Sequence, residues 1–414
     1  MPKDVLQNAR RWVSKAAGAR RAAPGAGRRG QVVIATRLYA PEPTPAAFRH
    51  EALFDELGRR GIDTTVLTTT APGHPAAEDS GVSRWPVLRD AQGHVKGYAS
   101  YLSYDIPLFL RLLAVRDPKV VVSEPPPTTG FVVLVSSMLR RVPYVYYAAD
   151  VWADATRTVQ GVPALVPAIL GLVERLVWRR ASLVLAISPG VQHRIEELIG
   201  DASPVVMVGN GIRVEDFSAE GPERETAAPP TFLYTGTVSE WHGASVFVDA
   251  FARVRERHGE ARLIFFSEGA EKDALERRVR ENGTDGIEFR PRVTTSELSG
   301  HLRGAVASLA SVFPGQGYDF AIPTKIYAST ASGTPVVYAG LGPSVDLVRD
   351  NGLGWAVDYS VDDVADAMDE AIRARQEDRM PSPAALRDWT VQNASLAASA
   401  STIVDAMGPY LRWP

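Results

Sequence analysis

The stretch Val32–Thr69, VVIATRLYAPEPTPAAFRHEALFDELGRRGIDTTVLTT, reads as one complete strand–helix–strand unit. Val32–Thr36 is a short apolar run and Arg37–Pro45 a proline-rich loop. A helix runs through Leu53, Phe54 and Leu57 and stops at Gly61, the residue type that ends helices. Ile62–Thr69 is rich in β-branched residues, as strands are. Downstream the unit repeats. Pro107–Val115, Phe131–Leu139 and Leu165–Arg180 read as helices, and Lys119–Ser123, Tyr144–Tyr147 and Leu183–Ile187 as strands. Ser188–Pro189 opens a further helix with a capping residue and a first-turn proline. Ser218–Pro230, SAEGPERETAAPP, has the composition of a linker. Beyond it strands are predicted at Thr231–Thr235, Arg262–Phe266, Ile287–Phe289, Val306–Ser311 and Pro335–Tyr338, with helices between.

This alternation predicts parallel sheets covered on both faces. The reading is two doubly wound, Rossmann-like α/β domains at 31–217 and 231–385, joined by 218–230. Residues 386–414 are expected to form a C-terminal helix packing back on the first domain, and residues 1–30 are a basic extension. Open α/β sheets bind ligands at the carboxyl ends of their strands. Two such sheets facing across a cleft suit the transfer of a group between two ligands.

The chain has 414 residues and no cysteine. Disulfides, thiolate metal sites and a cysteine nucleophile are excluded, and a reducing compartment fits. None of the seven histidines forms a metal-type pair on a helical turn, so no metal is expected. No Walker loop, Gly-x-Gly-x-x-Gly fingerprint or Gly-x-Ser-x-Gly signature occurs. Apolar runs fall well short of a membrane span. Residues 1–30 carry a net charge of +7 and the remainder −10, so the body is a poor nucleic-acid binder. In the extension, Val5, Leu6, Ala9, Trp12 and Val13 recur at helical spacing among arginines, which suits a helix on an anionic membrane. The Gly, Ala, Pro and Arg of 18–30 equally suit a disordered tail. A secretory signal is not expected, because no continuous apolar core is present.

The chemistry concentrates in Gly315–Gly340, GQGYDFAIPTKIYASTASGTPVVYAG. Pro323 suits the first turn of a helix, and Gly333 and Pro335 end it. Lys325 then falls beside a helix N-terminus, where unpaired N–H groups and the macrodipole favour an anion. A lysine there makes sense with a phosphate between; a solvated surface lysine is the plain alternative. Two other features allow two readings each. The apolar Val162–Trp178 is either a patch near membrane or lipid-linked acceptor, or a buried helix. Tyr98, Tyr101 and Tyr104 are either an aromatic wall or a packed helix face.

In order along the chain, TRLYAPEPTPAAFR (36–49), YYAADVWADA (146–155), AISPGV (186–191), VGNGIRVEDF (208–217), YTGTVSEWHGASVFVDAF (234–251), FFSEGAEKDALE (265–276) and PTKIYASTASGTPVV (323–337) resemble the GT-B nucleotide-sugar glycosyltransferases of the family-4 type. The resemblance runs from Val32 to about Trp389. It implies a GT-B fold and retaining transfer of a sugar from a nucleotide-diphosphate donor, a UDP- or GDP-sugar, with no separate cofactor. The acceptor would be a cell-surface glycan, a glycolipid or a polyprenyl-linked sugar. The protein would be cytoplasmic, peripheral on the inner face of the cell membrane where 1–30 docks.

By the same resemblance, Lys325 with Pro323, Thr324 and Ile326 would hold the donor diphosphate. Gly236 and Thr237 would let backbone approach it, Gly269 would lie under base or ribose, and Arg292 would add charge. Asp150 would be the candidate base, with Trp152, Arg37, Glu42 and Arg49 bordering the acceptor. The chain departs from the family in two places. The paired glutamates of many members fall on Phe320 and Ala328, with Asp319 adjacent as a partial substitute or a loop cap. The usual Arg and Lys of the first donor-side loop are Thr237 and His242, and His242 carries only partial charge at neutral pH. A catalytically silent homologue acting as a partner or scaffold, and a nucleotide-sugar epimerase on the same fold, are the rival readings.

Overall fold

The computed structural model describes residues 31–411 except 43, 74–80, 91–92, 96, 158–162, 164, 222–228 and 317. The basic extension and the middle of the expected linker lie outside the described residues. The chain divides into two units. The first comprises the residues up to Ile187, Val191–Val208 and Ala400 onward; the second comprises Ser188–Gly190 and Gly209–Ser399.

The first unit contains β1 (Gln31–Ala35), α1 (Pro45–Arg59), β2 (Thr64–Thr69), β3 (Val82–Trp85), α2 (Tyr98–Ala114), β4 (Pro118–Ser123) and α3 (Pro127–Arg140). It continues with β5 (Tyr144–Ala148), α4 (Trp152–Arg157), α5 (Leu165–Arg180), β6 (Leu183–Ala186), α6 (Pro189–Ile199) and β7 (Val205–Met207). The strands form one sheet, β3-β2-β1-β4-β5-β6-β7, paired in parallel throughout. Alternate residues serve opposite faces. Val32 and Ile34 pack with α1, whereas Val33 and Ala35 pack with α2, α3, α5 and α6. Burial on both faces is why the strands read as continuous apolar runs. Thr44 caps α1, its Oγ1 accepting the Ala47 N–H at 3.2 Å.

Three expectations change here. The helix read from Pro107 begins at Tyr98, with Pro107 in its interior. Tyr104, Leu108 and Leu112 bury one stripe on either side of the proline and carry the helix through the lost hydrogen bond. The three tyrosines therefore form no wall: Tyr98 is exposed, while Tyr104 is buried and donates to the Leu67 carbonyl at 2.7 Å. The buried-helix reading of 162–178 also fails in half. α5 buries Pro167, Glu174, Val177 and Trp178, but exposes Leu165, Ile169, Leu172 and Leu176.

The second unit contains β8 (Thr231–Thr237), α7 (Ser245–Arg257), β9 (Arg262–Glu268), α8 (Lys272–Asn282), β10 (Ile287–Arg290), α9 (Thr295–Gly304) and β11 (Ala307–Ser311). It continues with α10 (Thr324–Ala331), β12 (Val336–Ala339), α11 (Pro343–Asp350), β13 (Gly354–Val357), α12 (Val361–Gln376) and α13 (Pro383–Asn393). Its sheet, β10-β9-β8-β11-β12-β13, is again wholly parallel. Phe232, Phe247, Phe251 and Phe265 fill one core beneath α7 and α12.

The unit boundaries differ from the sequence reading. The chain enters the second unit after Val208, ahead of the 218–230 stretch. Ile212 exchanges backbone hydrogen bonds with Ala394 and Leu396, both 2.9 Å, which ties this segment to the second unit. Of 386–414, α13 stays with the second unit, against α10, where Thr330 and Thr390 share a hydroxyl hydrogen bond of 2.6 Å. Only the later part of α14 (Leu396–Leu411) joins the first unit. There Ile403, Val404 and Met407 pack on the sheet, and Tyr410 donates to the Ser182 carbonyl at 2.5 Å.

Candidate active site

At the carboxyl edge of the first sheet, the residues that follow β1, β4 and β5 come together. Glu124, directly after β4, is buried. Thr36 donates its hydroxyl to Glu124 Oε1, His50 Nε2 lies 2.9 Å from Oε2, and Arg49 Nη2 is 4.0 Å from the same oxygen. Burial pushes this carboxyl up, but His50, Arg49 and Thr36 outweigh it and hold the pKa at about 2. Arg49 also lies over the Tyr147 ring, 5.0 Å from its centroid. Arg37 is buried, donates to the Pro125 carbonyl at 3.2 Å and stacks 4.2 Å over Tyr101. Tyr101 in turn meets Trp152 edge-on at 6.1 Å.

Asp150 follows β5 with an exposed side chain. Crowding by the edge raises its carboxyl pKa, Arg49 pulls it down, Glu124 pushes it up, and the net shift is upward. An exposed carboxyl of raised pKa suits proton transfer. Glu42 stands apart from this group. Both its oxygens are held by Arg89, at 2.9 and 3.1 Å, and Arg89 also binds Thr69 and the Thr70 carbonyl. A carboxylate engaged in this way braces the loop that carries it.

At the carboxyl edge of the second sheet, β11 leads through a loop to α10. Pro323 stands at the N-cap, one place before the predicted first-turn position, and no side chain caps the helix. Its first-turn N–H groups therefore lack a side-chain acceptor. Lys325 Nζ is buried with no hydrogen-bond partner and lies 3.6 Å from the centroid of the Tyr234 ring. Burial drives its pKa well below the ordinary lysine value. The solvated-lysine reading is thus wrong. Ile326 serves the core: its side chain is fully buried and its N–H bonds the Pro323 carbonyl at 3.0 Å. Thr324 is exposed at the helix start.

His242 is buried, its Nδ1 2.6 Å from Ser239 Oγ and its ring stacked 3.7 Å from Trp241. Burial, with the nearby Lys325 charge, lowers its pKa to about 3. It is neutral at physiological pH, which corrects the partial charge expected of it.

Gly236 has φ +91°, open to glycine, and leaves space where a Cβ would stand. Thr237 beside it is exposed. Gly269 has φ +136°, and a Cβ there would fall 2.1 Å from the Val238 carbonyl oxygen, so packing alone requires glycine. Asp319 accepts the Gly315 N–H on both oxygens, at 3.1 and 3.2 Å; it is engaged as a loop cap. Arg292 is exposed after β10, the outermost strand, with β9 and β8 between it and β11. The structure does not group it with Lys325. An open cavity of about 220 Å³ lies along this edge, lined by Ser239, Gly243, Ser245, Glu271, Phe313 and Gln316. Among the described residues no cluster of three or more His, Asp or Glu could hold a metal.

The sequence profile of the glycosyl transferase 4-like domain matches residues 46–211, and that of the group 1 glycosyl transferases matches residues 229–374. The chain belongs to the family-4-type GT-B glycosyltransferases. No curated protein matches it in sequence. Among solved structures, this glycosyltransferase is similar to the sucrose-phosphate synthase (tll1590) of Thermosynechococcus elongatus. The TM-score is 0.73 at 16% identity, over 92% of this chain and 99% of that one. It is similar to Alr3699/HepE of Anabaena in complex with UDP and glucose, with TM-score 0.64 at 15% identity over 92% and 99%. It also resembles a glycosyltransferase of Rickettsia africae, with TM-score 0.70 at 12% identity over 93% and 100%. These likenesses show the fold.

Sequence reasoning missed Glu124, His50 and Glu174 in this glycosyltransferase. Glu174, on α5, accepts the N–H groups of Trp152 at 2.7 Å and Ala153 at 2.8 Å, so it sets the start of α4. Burial raises its pKa to about 7 against the pull of those two bonds. Glu124 could have been found as the acid directly after a predicted strand. Glu174 carried no signal, because an acid on a helix reads as surface.

Proposed function

We propose that the protein is a retaining glycosyltransferase that moves a sugar from a UDP- or GDP-sugar to a cell-surface glycan, a glycolipid or a polyprenyl-linked acceptor. The carrying observation is Lys325: a buried ammonium position without an acceptor, at the uncapped N-terminus of α10 and the carboxyl edge of the second sheet. A donor diphosphate supplies the missing acceptor and restores the charge. In the transfer, the bond from the anomeric carbon to the diphosphate oxygen breaks and a bond to the acceptor oxygen forms on the same face. The acceptor proton passes to the departing phosphate or to Asp150. Negative charge grows on the leaving group, and fixed donors aimed there lower the barrier. Lys325, the N–H groups of Thr324 and Lys325, and Thr237 are those donors. The complexes of Anabaena HepE with UDP and UDP-glucose support a uridine nucleotide.

Phe320 and Ala328, where many relatives carry carboxylates, favour the second reading, a catalytically silent homologue. Thermal-shift measurements against UDP-, GDP-, TDP- and ADP-sugars separate the two. Stabilisation by one nucleotide class is expected, followed by sugar release or transfer with that donor. A folded protein that responds to none is the silent homologue.

A further inference from the structure

Most of the exposed large apolar side chains among the described residues lie on α2, α3 and α5. These helices cover one face of the first sheet, with α3 packed between α2 and α5. On α2, Leu102, Ile106, Leu110 and Leu113 form an outward stripe at helical spacing. On α5 the stripe is Leu165, Ile169, Leu172 and Leu176, and Phe131, Met138 and Leu139 lie on α3 between them. A contiguous apolar surface of this kind marks an interaction site.

The charges decide what covers it. The three helices contain two carboxylates, Asp105 and Glu174, and both are buried. Their exposed charges are arginines. In a parallel α/β unit each helix ends where the next strand begins, at the amino edge of the sheet. Arg116, Arg141, Arg179 and Arg180 are exposed at those junctions. Lys119 is there too, paired with Asp117 at 3.3 Å. The basic segment 1–30, of charge +7, joins β1 at the same edge. All this sits on a protein whose remainder carries −10. The neighbouring helix α6, on the same face of the sheet, instead exposes His193, Glu196 and Glu197.

We propose that the outward face of α2, α3 and α5 is a docking surface for an anionic lipid bilayer, its apolar stripes entering the interface and the amino-edge arginines meeting the headgroups. A protein partner would require no such one-sided charge. The carboxyl edge, where the candidate acceptor residues stand, is left free at the other end of the strands. The inference does not rest on transfer activity.

The absence of cysteine permits a direct test. Ile106→Cys and, as control, His193→Cys are made in the full chain and labelled with an environment-sensitive fluorophore. Both positions are exposed. Vesicles of phosphatidylcholine with 30% phosphatidylglycerol are then titrated in. Emission should shift to the blue at 106 and stay unchanged at 193, and phosphatidylcholine alone should give a far smaller response. Leu110→Glu with Leu172→Glu should lower vesicle binding at least tenfold while the far-ultraviolet circular dichroism and melting temperature hold. An unchanged signal at 106 on vesicle-bound protein overturns the proposal, because the extension alone would then account for binding. A blue shift that follows protein concentration without vesicles overturns it in favour of a second copy of the chain.

Discussion

At the carboxyl edge of the first sheet, Glu124 is buried with His50 at 2.9 Å, Arg49 at 4.0 Å and Thr36 on its other oxygen. At the same edge of the second sheet, the Lys325 Nζ is buried against an aromatic ring with no acceptor. Topology places both residues at the mouths of parallel strands, yet their electrostatics are opposite. The first edge satisfies its charge internally. The second keeps an unsatisfied cation position, whose cost an anion bound there would recover. A buried charge with partners argues for structure, and one without partners argues for a ligand.

The largest expected effect comes from breaking the satisfied edge. Glu124→Ala should destabilise the protein by about 3–5 kcal/mol, the scale of a broken buried pair, and urea denaturation measures it. The same carboxyl predicts acid sensitivity. Its folded pKa of about 2 lies below the ordinary 4.5, so its contribution is full above pH 4.5 and is lost as pH falls towards 2.

Glu174 should act in the other direction. Its folded pKa of about 7 lies above 4.5, so stability is complete below pH 4.5 and is lost as pH rises through 7. The loss is at most about 3 kcal/mol. Glu174→Gln should flatten this slope between pH 4.5 and 7, while Glu124 variants should not. A slope unchanged in Glu174→Gln would assign it to another group.

The unsatisfied edge is tested last. Lys325→Ala should weaken nucleotide-sugar binding by about 1–3 kcal/mol, the scale of a charged hydrogen bond, and leave stability equal or higher. Because the ammonium is disfavoured in the free protein and favoured beside a diphosphate, donor binding should take up a proton. Affinity should therefore fall as pH rises. Calorimetry in buffers of different ionisation enthalpy reads this directly. Unchanged affinity in Lys325→Ala would remove the contrast between the two edges.

Much of this was legible in the chain itself. Val32–Thr69 announced a strand–helix–strand unit, and its repetition predicted two parallel sheets, because strands buried on both faces must be apolar throughout. β3 was not legible: Val82–Trp85 is four residues, and Arg111 of α2 fixes it by donating to Ser83. Lys325 was singled out by its place after Pro323. Asp319 was weighed both ways, and the structure engages it as a loop cap. The pairing of Glu42 with Arg89 and the burial of His242 were not legible, because residue type and spacing reveal neither.

The sequence by itself determined the two-sheet architecture, the family and the position of α10, since periodicity and capping act over a few residues. Tertiary structure alone decided which charges are paired and which helix faces stay uncovered. The partners of Glu124 come from the residue after β1 and from α1, distant in sequence. The outward apolar stripes of α2, α3 and α5 have the composition of a core and differ from one only in that no described residue buries them.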